Sequence, residues 1–377
     1  MKRIGNIYKE IYSYENLLAA YHNAAMGRRY RHDVMSFTQN LEENLVQIQN
    51  ELIWHKYKVG EYHEFFVHDP KKRLIMSLPF KDRVVQWAIY RVLNPIFDRR
   101  YINTSYGCRI GGGTHRAIKQ LQKYIRITPP PAYVLKLDMS KYFYRVNHAI
   151  LFEILNKIFK DKEVLWLMKT IIYGDHLFGI QLDDHNYEKE RVPGVGMAIG
   201  NLTSQMFANL YLNELDQYCK HHLHVKHYIR YMDDIAIVSD NKRQLWQYER
   251  EIEEFIASKL ALKLNNKTSV NGVRQGIDFC GYRVYRDHIK LRKKSSLHMK
   301  RRLRQIQKQY YNWNASAQNY HDSLMSYLGG LKHCDGYKLT QAILARGVLR
   351  RRNRNEKGSS IDGAAGTAGD GPGTSAE

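Results

Sequence analysis

Residues 228–238 read Tyr228-Ile229-Arg230-Tyr231-Met232-Asp233-Asp234-Ile235-Ala236-Ile237-Val238. Two short apolar runs flank a pair of acids, which predicts a β-hairpin of two buried strands with Asp233 and Asp234 at its turn. An unpaired carboxylate at the edge of a buried strand is costly to desolvate. The pair therefore indicates a binding site, although taken alone it could equally be an ordinary solvated turn.

A second short strand, Tyr133 to Asp138, follows Pro129-Pro130-Pro131 and also ends in a carboxylate. Asp138 alone could be no more than a strand-end cap. If it converges with Asp233 and Asp234, the three acids are suited to Mg²⁺, which takes oxygen ligands and keeps waters that a phosphate can replace. Two such ions about 3.5–4 Å apart stabilise the attacking and leaving oxygens of a phosphoryl transfer.

The composition indicates a globular protein with a polyanionic partner. The 377 residues include 59 Lys and Arg against 37 Asp and Glu, a net charge of +22, which favours nucleic acid first and an anionic membrane second. No run of about 18 apolar residues occurs, so we expect no membrane span. The four cysteines are widely spaced without a CxxC pair, which fits a reducing cytosol and predicts a cytoplasmic protein.

Apolar periodicity predicts the remaining elements. We expect two helices over 14–52 and an extended hairpin over 57–78 with Lys71-Lys72-Arg73 at its tip. Further segments follow in the order helix 81–97, Gly-rich loop and helix 114–125, strand 133–138, helices within 148–172, helix 202–219, the acid hairpin, helix 245–260, strands within 277–291, and a basic helix 295–313. The Asp183-Asp184 pair lies in a polar insertion and is expected to be plain loop.

Several segments together resemble the reverse transcriptases. Tyr231-Met232-Asp233-Asp234 resembles their YxDD box, and Leu137 to Phe143 resembles the preceding motif, an Asp followed five positions later by an aromatic residue. Phe279-Cys280-Gly281-Tyr282 resembles the primer-grip turn, and Arg73 with the segment from Tyr106 to His115 resembles the fingers motifs. The motifs occur in the family's order, and the resemblance covers about residues 14–335.

The Gly-rich turn at residues 199–205 points to a subfamily. Most reverse transcriptases carry Q-G-x-x-x-S-P there, whereas this chain has Ile199-Gly200-Asn201-Leu202-Thr203-Ser204-Gln205, a form similar to the enzymes of diversity-generating retroelements. Those enzymes copy a template RNA into cDNA with errors mainly opposite adenines, in bacteria, archaea or phages, with a small basic accessory protein oligomer as partner. The alternatives are an antiphage-defence or group II intron-like reverse transcriptase, and a non-catalytic RNA-binding scaffold.

The resemblance implies an α+β, right-hand polymerase fold with fingers, a palm with an antiparallel sheet, and a helical thumb. Residues 1–130 would form N-terminal helices and fingers, 131–285 the palm with fingers insertions, and 286–350 the thumb. The composition of 351–377, rich in Gly, Ala, Ser and Thr, predicts a disordered tail.

The resemblance also assigns roles to individual residues. The implied cofactors are two Mg²⁺ ions, the substrates are dNTPs, and the partners are a template RNA and a cDNA or primer strand. The implied metal ligands are Asp138, Asp233, Asp234 and the carbonyl of Met139; the same three acids and Lys267 are the implied catalytic residues. The implied nucleotide contacts are Arg73, Lys141, Tyr142, Phe143 as a steric gate, Ile199 and Gly200. The implied nucleic-acid contacts are Arg109, Gln205, Tyr231, Met232, Gly281, Lys293, Lys294, Arg301 and Arg304.

Overall fold

The structure is a computed structural model that describes residues 2–68, 73–174, 176–180 and 191–352. The predicted hairpin tip at Lys71 and Lys72, the Asp183-Asp184 loop, and the predicted tail from residue 353 onward lie outside these ranges. The chain divides into two compact units, one formed by residues 1–280 and 284–287 and the other by residues 281–283 and those from 288 onward. The predicted boundaries between fingers, palm and thumb stay predictions.

Helices and strands alternate irregularly along the chain. The helices are α1 (Tyr8–Tyr12), α2 (Tyr14–Ala25), α3 (His32–Gln39), α4 (Leu41–Ile53), α5 (Phe80–Asp98), α6 (Thr114–Ile127), α7 (Tyr142–Arg145), α8 (His148–Ile158), α9 (Lys162–Ile172), α10 (Leu202–Gln217), α11 (Lys242–Leu260), α12 (Lys293–Tyr311), α13 (Ala317–Leu331) and α14 (Tyr337–Leu344). The strands are β1 (His63–Val67), β2 (Arg73–Ser77), β3 (Tyr133–Asp138), β4 (Gly179–Ile180), β5 (Arg191–Val192), β6 (His227–Tyr231), β7 (Asp234–Ser239), β8 (Ser269–Gly272), β9 (Ile277–Phe279), β10 (Tyr282–Val284) and β11 (Ile289–Leu291).

A four-stranded antiparallel sheet with the order β6-β7-β3-β8 holds the predicted acids. In the pairing of β3 with β7, Asp138 lies opposite Asp234. In the pairing of β6 with β7, Tyr231 lies opposite Asp234, which leaves Met232 and Asp233 as a two-residue turn. The register therefore brings all three acids to one end of the sheet.

Strand β7 is buried on both faces, with Ile235 and Ile237 on one face and Ala236 and Val238 on the other. Leu135, Leu137, Ile235 and Ile237 are fully buried in the core of the first unit, and helices such as α11 pack against β3, β7 and β8. Continuous apolar strands are expected where both faces of a sheet are covered. This packing fixes where β3 and β7 end, and so it fixes the positions of the carboxylates that follow.

The prediction of two helices over 14–52 was wrong, because the chain forms α2, α3 and α4 there. Asn40 alone separates α3 from α4, with φ −119° and ψ 46°. Phe37, Leu41 and Leu45 on either side of this break still face the same core. A one-residue break of this kind leaves the apolar periodicity intact, so the pattern cannot reveal it.

In the second unit, α12 places Met299, Leu303 and Ile306 in a small apolar core together with Tyr320, Leu331 and Ile343. This is the apolar stripe that the sequence predicts for the basic helix. Across the described ranges, no helix combines the length and the apolar character that a membrane crossing requires.

Candidate active site

The acids at the sheet end differ in their environment. The Lys136 Nζ lies 3.6 Å from Asp234 Oδ1. The pKa of the Asp233 carboxyl is raised to about 6, mainly because the group is buried. The negative charges of Asp234 and Asp138 raise it further, and the positive charge of Arg73 opposes the rise. Asp138 and Asp233 therefore form a crowded anionic site, and Asp234 has a cationic neighbour.

The carboxylates suit a metal that is completed by a substrate. Among the described residues, no group of three or more His, Cys, Asp or Glu side chains could by itself hold a metal ion. Mg²⁺ is usually bound by one or two carboxylates, waters and substrate phosphates rather than by an all-protein cage. The mutual repulsion that helps to raise the pKa of Asp233 fits such a cation. The assignments of Asp138, Asp233, Asp234 and the Met139 carbonyl as metal ligands stay predictions.

The turn between β6 and β7 is held in a constrained conformation. Met232 has φ +54°, a left-handed conformation that is uncommon for a residue other than glycine. The guanidinium of Arg230 donates from Nη1 to the Met232 carbonyl at 3.1 Å. Gly107 packs closely against the same turn, because a Cβ there would meet the Met232 nitrogen at 2.6 Å.

Replacing Gly107 with alanine is therefore expected to push away the turn of Met232 and Asp233, the predicted catalytic turn. A displacement of about 1 Å at reacting groups can cost about 10²-fold in rate, so we expect a loss of nucleotide incorporation of that order. Single-nucleotide primer extension measures this loss. Gly272→Ala is the matched control, because a Cβ at Gly272 meets nothing within 4 Å. Equal activity in the two variants would contradict the prediction.

The sequence analysis missed a buried ion pair beneath this turn. Arg230 and Asp216 are both fully buried, and the guanidinium donates to both carboxylate oxygens of Asp216, at 2.7 and 2.6 Å. Tyr228 Oη donates to the same carboxylate at 2.7 Å. The network continues to Asn209, whose side chain accepts from Arg230 at 3.1 Å and donates to the Gly107 carbonyl at 2.6 Å. An arginine inside an apolar strand was the signal available in the sequence.

Arg73 begins β2 and is exposed. Its positive charge opposes the rise that burial causes in the pKa of Asp233 and in that of Tyr144. A guanidinium in this position is suited to phosphate oxygens because its donors form a planar fork. The electrostatic effect places Arg73 near Asp233, and its contact with a triphosphate stays a prediction.

The predicted Gly-rich turn is attached to β2 by its backbone. The Met76 amide donates to the Ile199 carbonyl at 3.0 Å. Gly200 has φ +128°, and a Cβ there would meet the Met76 carbonyl oxygen at 2.8 Å. Glycine is required at this position by both the conformation and the close approach. The half-buried side chain of Ile199 is therefore held at a defined place beside the hairpin that carries Arg73.

The segment after Asp138 is held by the core. Lys141 has φ +49° and precedes the short helix α7. Tyr142 is buried and its hydroxyl donates to the Ala208 carbonyl at 2.6 Å, so only its backbone is available to a nucleotide. The Phe143 carbonyl accepts from the Met197 amide at 2.7 Å, and the half-buried ring packs edge-on against Tyr142, with 5.7 Å between centroids. These contacts fix the place of the predicted gate.

Lys267 lies in a loop that is bound to the end of β3. The Asn265 amide donates to the Asp138 carbonyl at 2.8 Å, and the Lys267 amide donates to Asn265 Oδ1 at 3.2 Å. The exposed side chain of Lys267 is thus on a loop anchored to the strand that carries Asp138, and its catalytic role stays a prediction.

The predicted nucleic-acid contacts of the first unit fall into two groups. Arg109 is engaged internally, because Nε donates to Asp98 at 2.6 Å and Nη1 donates to the Ile102 and Ser105 carbonyls, which favours a positioning role. Gln205 is exposed near Cys108, and the Tyr231 hydroxyl accepts from Thr114 at 3.3 Å. In the second unit, Gly281 has φ +83°, and exposed positions on α12 carry Lys293, Lys294, Arg301 and Arg304.

Comparison with known proteins gives one family. A family model described as "Reverse transcriptase (RNA-dependent DNA polymerase)" matches residues 67–284. Protein YkfC of Escherichia coli is 25% identical over 245 residues, which cover 55% of this chain and 61% of that protein. The group II intron-encoded protein LtrA of Lactococcus lactis is 24% identical over 149 residues, covering 39% of this chain and 23% of LtrA. The chain thus spans less than two thirds of the length of the curated relatives it matches.

Among solved structures, the chain is similar to telomerase from Candida albicans, solved with a fragment of telomeric RNA. The TM-score is 0.46 at 13% identity, and the match covers 74% of this chain and 56% of the telomerase chain.

Proposed function

The chain belongs to the reverse transcriptase family, and from this premise we propose that it copies a template RNA into cDNA by two-metal nucleotidyl transfer. The α+β right-hand polymerase fold with an antiparallel palm sheet is confirmed. The observation that carries the proposal is the convergence of Asp138 and Asp233 at one sheet end, with Arg73 close enough for its charge to oppose the rise in the pKa of Asp233.

Each residue around this sheet end has a task in the proposed reaction. Asp138 and Asp233 would hold Mg²⁺, which would supply neutralisation of phosphate charge and activation of the primer hydroxyl. Arg73 and the backbone amides of Lys141 and Tyr142 bind the triphosphate, and Phe143 excludes a 2′-hydroxyl. Lys267 protonates the leaving pyrophosphate. Catalysis is then mainly positioning and charge neutralisation.

We further propose that synthesis is error-prone opposite template adenines, for targeted sequence diversification, with a small basic accessory protein oligomer as partner in the cytoplasm. Ile199 supports this proposal. Its backbone is held by the hydrogen bond from the Met76 amide, and its apolar side chain contacts the nascent base pair through shape alone, without a polar contact. A loss of about 1.4 kcal/mol in the free-energy difference between correct and incorrect base pairs lowers the selectivity about tenfold. The similarity to LtrA favours a second candidate, a group II intron-like reverse transcriptase with evenly distributed errors.

The test is primer extension on a defined RNA with Mg²⁺ and dNTPs, followed by cDNA sequencing. We expect errors concentrated opposite adenines, and we expect Ile199→Gln to lower that error frequency about tenfold because polar selection is restored. Ile199→Val is the matched control, since it keeps the apolar character and should keep the errors. Evenly spread errors would favour the intron-like candidate. RNA binding without extension, also with the accessory protein, would favour a non-catalytic scaffold.

A further inference from the structure

The Gly-rich turn at residues 199–205 is attached to the rest of the first unit partly through a side chain of α5. Backbone hydrogen bonds attach the turn to β2, and attach the residues just before it to the Phe143 carbonyl. Where α10 begins, the Leu202 amide donates to Gln86 Oε1 at 3.0 Å. Gln86 lies on α5 and is 4% exposed. A substitution at Gln86 can therefore loosen the turn without changing any residue of the turn.

Gln86 takes the place of a helix cap. The first amides of a helix have no partner within the helix, and within the described ranges the N-cap residue of α10, Asn201, makes no side-chain cap bond. The Asn201 side chain donates instead to Tyr62 Oη at 2.6 Å, which binds the turn to the residue just before β1. Leu202 is half-buried. Removing its acceptor therefore costs more than a typical hydrogen bond contributes, because the amide is left without a partner where water has limited access.

Asp82, one helical turn before Gln86 on α5, holds the base of the neighbouring hairpin. Its Oδ1 accepts from Tyr57 Oη at 2.6 Å and from the Gly60 amide at 3.2 Å. These two residues precede β1, which pairs with β2, the strand that Arg73 begins. Residues four positions apart lie on the same side of a helix. One face of α5 therefore holds both the Gly-rich turn and the hairpin that carries Arg73.

We propose that Gln86 is a positioning residue for the incoming nucleotide, acting through the turn that carries Ile199 and Gly200. When this turn is fixed before the dNTP arrives, binding does not have to order it, and preorganisation of this kind raises affinity. Loss of the Gln86 hydrogen bond weakens dNTP binding and leaves the later chemical step nearly unchanged. This inference rests on the proposed function, because it requires Ile199 and Gly200 to contact the nucleotide.

The kinetic test compares two substitutions at one position by single-nucleotide primer extension over a range of dNTP concentrations. Gln86→Met keeps the length of the side chain and removes the acceptor, so we expect KM for the dNTP to rise about fivefold, the value of one ordinary hydrogen bond. We expect kcat to stay within about twofold of the wild-type value, because the lost interaction is made equally before and during the reaction. Gln86→Glu keeps an acceptor oxygen in either protonation state and should restore KM.

Asn241→Ala is the matched control for a general loss of stability. The Asn241 side chain accepts from the Arg243 and Gln244 amides at the start of α11, so the substitution also removes acceptors from a helix N-terminus, but at the opposite end of β7 from the acids. It should lower the melting temperature and leave KM unchanged. An unchanged KM in Gln86→Met, an equal rise in the control, or a rise that Gln86→Glu does not correct overturns the proposal.

Hydrogen–deuterium exchange of the free protein tests the same contact without synthesis. In Gln86→Met, the amide of Leu202 should exchange about fivefold faster because its hydrogen bond is lost, and Gln86→Glu should restore the slow rate. An unchanged rate overturns the proposal whether or not the protein extends primers. A wild-type protein that extends no primer overturns the proposed function and the effect on KM together, and the exchange rate then still decides whether Gln86 holds the turn.

Discussion

Replacing Asp233 with asparagine is expected to lower primer extension by about 10³-fold, because in the proposed reaction several kcal/mol of transition-state stabilisation depend on the metal ions that this carboxylate would hold. Asparagine has nearly the same shape and no charge. Initial rates of single-nucleotide incorporation at saturating Mg²⁺ and dNTP measure the effect. Asp138→Asn should have an effect of the same order, because Asp138 lies at the same sheet end.

The folded protein is expected to tolerate this substitution. Burial and the charges of Asp234 and Asp138 raise the pKa of Asp233, so in the absence of a metal its ionised form is less favourable in the folded state than in the unfolded chain. Removing the charge should raise the melting temperature in EDTA at neutral pH, with RNA affinity kept. Asp240→Asn, at the opposite end of β7, is the control and should keep activity. A loss of RNA binding in Asp233→Asn would instead indicate a structural role for the acids.

Replacing Arg230 with methionine is expected to lower the free energy of unfolding by about 3–5 kcal/mol, because it leaves the Asp216 carboxylate buried without its partner. That is a large share of the total stability of a typical domain, about 5–15 kcal/mol. Urea denaturation followed by circular dichroism measures the change. Because Arg230 also holds the Met232 carbonyl, activity should fall as well.

A double variant separates these two effects. Arg230→Met combined with Asp216→Asn removes both charges, and replacing both members of a buried pair is often nearly neutral. We therefore expect most of the lost stability to return, whereas incorporation stays low because no side chain then donates to the Met232 carbonyl. Full recovery of activity in the double variant would show that Arg230 acts through stability alone.

The sequence by itself determined most helices and strands, because the residue patterns that produce them are local. The helices α5, α6 and α8–α12 follow from apolar periodicity, and the two-residue acid turn follows from two short apolar runs that flank a pair of acids. The order of motifs was sufficient to identify the family. The error over 14–52 has a local cause too, since a single residue, Asn40, interrupts the helix without changing its apolar face.

Tertiary structure decided the contacts that join distant segments. Gly107 against Met232, Ile199 bound to Met76, and the loop of Asn265 bound to Asp138 each connect residues that are far apart in the chain. Spacing in a sequence contains no information about which buried donor meets which acceptor, because that depends on how helices and strands pack. The burial of Arg230 with Asp216 became visible only once the packed interior had excluded water from both side chains.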